Sequence, residues 1–323
     1  MTKQFKLINN SIGWLVFAIA SFVYLSTIEP TVSFWDCGEF IATSYKLEVG
    51  HPPGAPLFMI MSRVATLFAF GDSTLAAKMI NSMSAFASAF TILFLFWTIT
   101  HIARRVFLRN GSELTMGSSL AIVGAGFIGA LAYTFSDTFW FSAVESEVYA
   151  SSSFFTAIVF WAILKWEDED TGFRANRWIV LISFLVGLSI GVHLLNLLTI
   201  PAIVFIYYFK KYKTTTKGFI LAIIVGLGLT GLIMWLIIPG VFKLGFAFEL
   251  MFVNGFGLPF NSGAAFYFVA LLGSIIWGIY YTYKKGKPVI NLMLTSLLVL
   301  LFGFSSYAAV VIRSSAEPPL DEN

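Results

Sequence analysis

The 323-residue chain reads as an all-α polytopic membrane protein. Three features carry that reading. Hydrophobic residues make up 58% of it and charged residues only 11%, against about 25% charged in soluble domains. The mean hydropathy is +0.84. The apolar residues also fall into runs close to the ~20 residues needed to cross a bilayer. A formal net charge of +3 is too small to mark a nucleic-acid binder, and no basic block carries the interleaved aromatics that grip single strands. Cys37 is the lone cysteine, which excludes an internal disulfide and a CxxC metal or redox motif. There is no GxxxxGK[ST] stretch, so ATP hydrolysis has no support.

The first apolar run, 11–28, follows a short basic lead, and no small-residue cleavage site comes after it. It therefore reads as a retained helix and not a signal peptide. Further spans are expected near 76–100, 119–135, 148–165, 178–193, 196–209, 218–239, 264–283 and 289–312, about nine in all. The run 56–70 follows HPPG and is short; it reads as an interfacial or re-entrant helix. Charge placement supports this count. With a cytoplasmic N-terminus, only Lys46, Arg63, Lys78, Lys243 and Arg313 of the 20 basic residues fall outside, as the positive-inside rule requires. Counting 56–70 as a crossing would move the loops KKYKTTTK and YKKGK to the wrong side.

The acids divide the other way. Asp36, Glu39, Glu48, Glu145, Glu147 and Glu249 fall in external loops, while EDED at 167–170 reads as a solvated cytoplasmic face. The expected organisation is one transmembrane domain, 1–312, with a first external loop at 29–75 and a second at 136–147. Residues 313–323 read as the start of a truncated extracytoplasmic tail.

Most of the polar chemistry sits in one segment, FWDCGEFIATSYKLEVGHPPGAPL, at 34–57. Two readings of it stand. In the structural one, Asp36 and Glu39 form a capping box, Gly50 ends the short helix, and Pro52-Pro53-Gly54 launches the next. In the functional one, Asp36 is a general base at the membrane–water boundary. There it takes a proton from an incoming hydroxyl, while Arg63 or His51 neutralises a phosphate leaving group.

In the second loop, SDTFWFSAVESEVYA, Glu145 and Glu147 share a face if the backbone is extended and diverge on a helix. A divalent metal on one or both remains open, since hard cations prefer carboxylate oxygens. No third or fourth ligand is spelled out. His193 and Asn196 occupy a tight turn between two short spans, where interhelical hydrogen bonding competes with a phosphate contact from His193. Glu249 is expected in a Phe-rich interfacial loop, with a groove for a polyprenyl chain as an alternative to ordinary interfacial aromatics. Arg313, just outside the last span, is placed to meet a lipid phosphate or simply to anchor the helix end.

These motifs have a familiar arrangement. WDCGEF, GHPPGAPL, SAVESEVYA and RSSAEPPLDEN together resemble the GT-C superfamily of polytopic glycosyltransferases. Within it they resemble the protein O-mannosyltransferase-like family of bacterial membrane proteins, which is related to an animal endoplasmic-reticulum O-mannosyltransferase. The resemblance implies a GT-C-like helical bundle that moves a sugar, mannose or similar, from a polyprenyl-phosphate carrier. The acceptor would be a Ser or Thr hydroxyl of a translocated protein, and the reaction would invert the anomeric centre. By position, Asp36 corresponds to the family's first-loop catalytic acid, and Glu39 lies in the same motif. Trp35, His51, Pro52, Pro53 and Gly54 shape the site, and Glu145 and Glu147 fall where the family has its second-loop acids. His51, Arg63, His193 and Arg313 are then the candidates for holding the donor phosphate. The implied setting is the bacterial inner membrane with the site facing the periplasm. Implied partners are the lipid-linked sugar, an acceptor protein in the periplasm or lumen, and the bilayer, with no nucleic acid and no certain cofactor. Two other classes compete: a secondary transporter relaying protons through its carboxylates, and a non-catalytic membrane scaffold.

Overall fold

The computed structural model describes residues 3–109, 111, 113–169 and 172–322. Asp170, within the EDED run, lies outside the described residues. Helices dominate: α1 (Lys3–Ser26), α2 (Cys37–Lys46), α3 (Pro56–Thr66), α4 (Ala76–Leu108), α5 (Met116–Thr134), α6 (Asp137–Ala143), α7 (Val148–Asp168), α8 (Phe173–Ile190), α9 (Thr199–Lys211), α10 (Thr216–Gly231), α11 (Ile238–Leu250), α12 (Ser262–Lys284), α13 (Pro288–Phe304) and α14 (Tyr307–Ser314). No strand forms among the described residues; one isolated parallel bridge joins Val49 to Asp321.

Eight helical segments among the described residues are long and apolar enough to cross a membrane. The ninth expected span falls on α8, an 18-residue helix. The run after HPPG folds as a short apolar helix, Pro56–Ala69, as anticipated. The region expected to be an external Phe-rich loop is not a loop. From Thr216 to Gly255 the chain is continuously helical over 40 residues, about 60 Å at 1.5 Å per residue and twice the ~30 Å hydrocarbon core. A π-helical turn at Leu232–Ile237 precedes Pro239 in α11, and a second, Met251–Gly255, closes the segment. Proline lacks the N–H that an α-turn would use and crowds the preceding carbonyls. The wider π turn just before Pro239 accommodates both, so the helix carries on where the sequence appeared to break.

The chain divides into two compact units interleaved in sequence, although 1–312 reads as one domain. One comprises Met1–Leu164, Leu188–Asn196 and Phe304–Asn323, the other Lys165–Gly187 and Leu197–Gly303. In the first unit, α1, α4, α5 and α6 build a core from Val16, Ala20 and Tyr24, Ala85, Ala89 and Phe96, and Ala130 and Phe139. The alanines let helix backbones approach closely, the packing mode that suits a bilayer, where apolar burial alone drives little association. Gly126 belongs to the same device, because a Cβ there would run into Thr100 and Phe96. The Tyr24 hydroxyl donates to the Thr134 carbonyl at 3.0 Å, tying α1 to the end of α5.

The second unit is held differently. α11 and α12 meet through tilted aromatic rings, among them Phe248 with Phe266 and Tyr267. Lys210 donates to the Trp166 carbonyl at 2.6 Å and lies over that tryptophan's ring at 4.3 Å.

Candidate active site

The first loop enters through Trp35, a non-glycine residue in the left-handed region at φ 60°. Such a conformation costs on the order of 1–3 kcal/mol and persists where the surroundings dictate it. Leu47, Ala55 and Phe70 in the same loop are also left-handed. The turn at Trp35 leaves its own ring exposed and sets Asp36 at the N-cap of α2. No capping box forms there: the Asp36 side chain makes no cap bond. Nor does Gly50 end the helix. Leu47 does, with its N–H on the Ser44 carbonyl and the Glu48 N–H on the Thr43 carbonyl at 2.8 Å.

Glu39 has a different partner. One of its oxygens accepts the backbone N–H of His51 at 2.7 Å, and the imidazole Nδ1 stands 2.9 and 3.0 Å from the two oxygens. The carboxylate thus clamps the far end of the loop back onto α2. Gly50 is required for this, because a Cβ there would stand 2.6 Å from the Glu39 Oε1. The Glu39 hydrogen bond raises the His51 pKa above its ordinary value, and the charges of Glu39, Asp36 and Glu322 add to this against the opposing effect of burial. Pro52 and Pro53, joined by a cis bond, form the turn closed by the Gly54 N–H on the His51 carbonyl. They do not open the next helix. Pro56 does, at its first turn after Ala55. The free N–H groups of Leu57 and Phe58 then bond the Gly191 carbonyl at 2.7 and 3.3 Å.

The second loop closes over the first. Glu145, Ser146 and Glu147 are all buried, at 4%, 0% and 5% exposure, so neither acid serves to solvate a loop end. The bend through 144–146 turns both toward Cys37, whose Sγ lies 3.8 Å from Glu145 and 3.9 Å from Glu147. Glu147 also accepts backbone hydrogen bonds from Val148 and from Asp36 itself, and Glu145 accepts one from the Ser33 side chain. Burial, with the charges of Asp36 and Glu145, pushes Glu147 up to about 7. Burial also raises Glu145, and burial and both glutamates push the Cys37 thiol up to about 12. Asp36 itself is exposed, and its charge acts on both Glu147 and His51.

Asn81, in α4 and 1% exposed, locks the two loops together. Its amide donates to the carbonyls of Glu29 at 2.7 Å and Thr31 at 3.2 Å, and its oxygen accepts from the Ser146 hydroxyl. Sequence reading passed over Asn81, Ser146 and Cys37 as site components. An amide within the apolar stretch MINSMSAF was the available signal, since polar side chains inside spans are costly unless used.

The remaining candidates lie around the far end of α2 or apart from it. Arg63 lies over the Tyr45 ring at 5.4 Å and donates to Thr66 at 3.2 Å. Arg313 donates to the Leu47 carbonyl, so it anchors α14 to the end of α2. Beyond it the tail returns alongside Val49, which bonds Leu320 and Glu322 at 3.1 and 3.2 Å. His193 accepts the Leu195 N–H at 3.1 Å and packs near Tyr149, while Asn196 accepts from Ser152 at 3.1 Å and Thr156 at 2.7 Å. Asn196 thus makes the interhelical bonds expected of it, whereas His193 bonds within its own turn. Glu249 does not sit in a loop: from α11 it caps the start of α12, accepting the N–H groups of Asn261 at 2.6 Å and Ala264 at 2.9 Å. Among the described residues no group of three or more His, Cys, Asp or Glu is arranged to hold a metal ion.

Fold and site together define a multi-pass helical membrane protein in which two loops between spans fold against each other around buried acids. The family model described as the protein O-mannosyl-transferase TMEM260 N-terminal domain matches residues 36–216. The chain belongs to that family. It is 26% identical over 176 residues to the mouse (Mus musculus) protein O-mannosyl-transferase TMEM260, covering 54% of this chain and 22% of the mouse protein. To protein O-mannosyl-transferase tmem260 of Dictyostelium discoideum it is 25% identical over 198 residues, 58% of this chain and 22% of that protein. The chain thus covers a minor part of the length of these curated relatives. No solved structure matches it. The matched span opens at Asp36 and includes Glu39, His51, Arg63, Glu145, Glu147 and His193; Arg313 lies beyond it.

Proposed function

We propose that this chain is the membrane core of a glycosyltransferase that joins a sugar, mannose or similar, to a Ser or Thr hydroxyl of a translocated protein, with Asp36 as the general base. The observation that carries the reading is the convergence of the two loops. Cys37 is packed against Glu145 and Glu147, and Glu147 holds the Asp36 backbone. An exposed carboxylate is thereby fixed at a defined place on an otherwise apolar molecule. Both curated relatives are named protein O-mannosyl-transferases, which supports the reaction class.

In the proposed step, Asp36 takes the proton of the acceptor hydroxyl as its oxygen bonds to the anomeric carbon. The bond from that carbon to the carrier phosphate breaks on the opposite face, and the electron pair leaves with a polyprenyl phosphate. Direct displacement of this kind inverts the anomeric centre. His51 supplies positive charge within the electrostatic reach of Asp36, and Glu39, whose oxygens are both committed to His51, positions it without acting as an acid or base itself. Arg63 and Arg313 add positive charge around the end of α2. Glu145 and Glu147 serve as the buried floor that sets Asp36 in place. The site faces away from the cytoplasm, on the side opposite the basic loops, and the bacterial inner membrane is the setting the resemblance implies.

The test uses the full-length protein in membranes, a polyprenyl-phosphate-linked mannose and a Ser/Thr-containing acceptor protein. Asp36→Asn should lower transfer by about 10²–10⁴-fold, the usual worth of a general base, with thermal stability unchanged because the side chain is exposed. Transfer retained at the parental rate would sink the assignment.

A further inference from the structure

A second candidate lies wholly within the second unit, which holds α9–α13 and most of α8. A cavity of about 630 Å³ opens between the start of α8 and the turn joining α12 to α13. That volume falls in the range of small-ligand pockets. We propose that this cavity binds the phosphate headgroup of an anionic phospholipid. The proposal is independent of the transferase reading.

Three observations point there. First, Arg177 and Lys287 both line the cavity, and no carboxylate does so among the described lining residues. Two cationic side chains in the wall suit an anionic ligand, and a guanidinium presents a planar fork matched to phosphate oxygens. Second, the cavity is preformed. Asn291 of α13 donates to the Ile279 carbonyl at 2.7 Å and to the Thr282 hydroxyl at 3.1 Å, which fixes α13 against α12. Gly286, in the left-handed region at φ 63°, turns the chain so that the Lys287 N–H bonds the Thr282 carbonyl at 2.9 Å. Third, the lining is amphipathic in the order an amphiphile needs. Lys287 sits between the end of α12 at Lys284 and the start of α13 at Pro288, Arg177 sits near the start of α8, and Val180 and Leu292 continue the wall along the apolar helices. A phosphate with an apolar tail fits this gradient better than a free anion. The basic loops on this side of the spans belong to the cytoplasmic face by the distribution of Lys and Arg, and the cytoplasmic leaflet is where anionic lipids concentrate.

The experiment is native mass spectrometry of the purified chain released from micelles, with phosphatidylglycerol, phosphatidylcholine or inorganic phosphate added. Wild-type protein should retain phosphatidylglycerol over phosphatidylcholine. Arg177→Gln combined with Lys287→Gln should weaken that retention by about 30-fold, the combined worth of two basic residues beside anionic lipid. Lys213→Gln with Lys217→Gln, which removes as much charge outside the cavity, should leave it intact. Both pairs are on the surface, and a melting curve of each variant confirms the fold. Equal retention by wild type and the Arg177/Lys287 variant overturns the proposal. So does equal loss in the Lys213/Lys217 variant. If inorganic phosphate at millimolar concentration displaces the lipid completely, the cavity is a soluble-phosphate site and the lipid assignment fails.

Discussion

The first-loop region, 29–75, and the long helix over Thr216–Gly255 are both bounded by apolar spans, yet they spend their residues in opposite ways. The loop holds four non-glycine residues in left-handed conformations, a carboxylate–imidazole clamp and a buried contact with two glutamates. The helix holds one acid, Glu249, and two bases, Lys217 and Lys243. In its most apolar stretch, 11% of the residues are buried, against 50% for Val148–Asp168. Strained backbone and buried charge are tolerated only where surrounding structure dictates them, and here they gather at the loops and not in the helix. The helix instead presents apolar surface outward, as a lipid-facing element does. The difference separates a region organised around buried acids from one suited to sit in hydrocarbon.

That contrast can be broken most directly at Asn81. Replacing it with Ala removes three hydrogen bonds at the junction of the two loops and leaves the buried Ser146 hydroxyl without its acceptor, a loss of about 3–4 kcal/mol. Urea or thermal unfolding in micelles would measure it; a loss below about 1 kcal/mol would mean the two loops do not depend on this tie.

Glu147 offers a pH-resolved test. Its folded value of about 7 lies above its ordinary 4.5. The unfolded chain therefore gives up this proton at lower pH than the folded one. Stability from the protonated group is full below about 4.5 and is lost as pH rises through about 7. Glu147→Gln keeps an acceptor for the Asp36 and Val148 N–H groups and removes the titration. Relative to wild type it should gain up to about 3 kcal/mol between pH 4.5 and 8. A constant offset across that range would contradict the burial of this carboxyl.

Gly50→Ala sharpens the comparison within the loop. Its Cβ would press on Glu39 and open the clamp on His51, at an expected cost of about 2 kcal/mol. The His51 pKa, read by NMR, should fall toward its ordinary value. A folded variant with an unchanged imidazole titration would show that the clamp tolerates the methyl group. The smallest effect belongs to the lipid-facing side. Val269→Ala, at a side chain 73% exposed, should change stability by less than about 0.5 kcal/mol, and a larger loss would reveal packing partners for that face.

The spans were legible because a bilayer imposes a length and a composition that local sequence must satisfy. The acidic loop was legible as an anomaly, because carboxylates so close to apolar runs need a reason. The partnerships within it were not. Asp36-x-x-Glu39 has the spacing of a capping box, but that spacing says nothing about a competitor twelve residues on, and Glu39 prefers the His51 ring and backbone. Pro239 looked like the end of a span because sequence does not disclose a π turn that absorbs it. Asn81 was missed because its partners, Glu29, Thr31 and Ser146, come from segments far apart in the chain.

Cys37 has a practical consequence. It is the sole sulfhydryl in the chain, fully enclosed, and the two glutamates disfavour its anionic form. At neutral pH the reactive anion is about 10³-fold scarcer than for an ordinary thiol. Maleimides and other alkylating probes should therefore ignore the native molecule and label it only when the second loop lifts from the first. The site carries its own gauge of opening, readable in membranes by a gel-shift reagent without any engineered label.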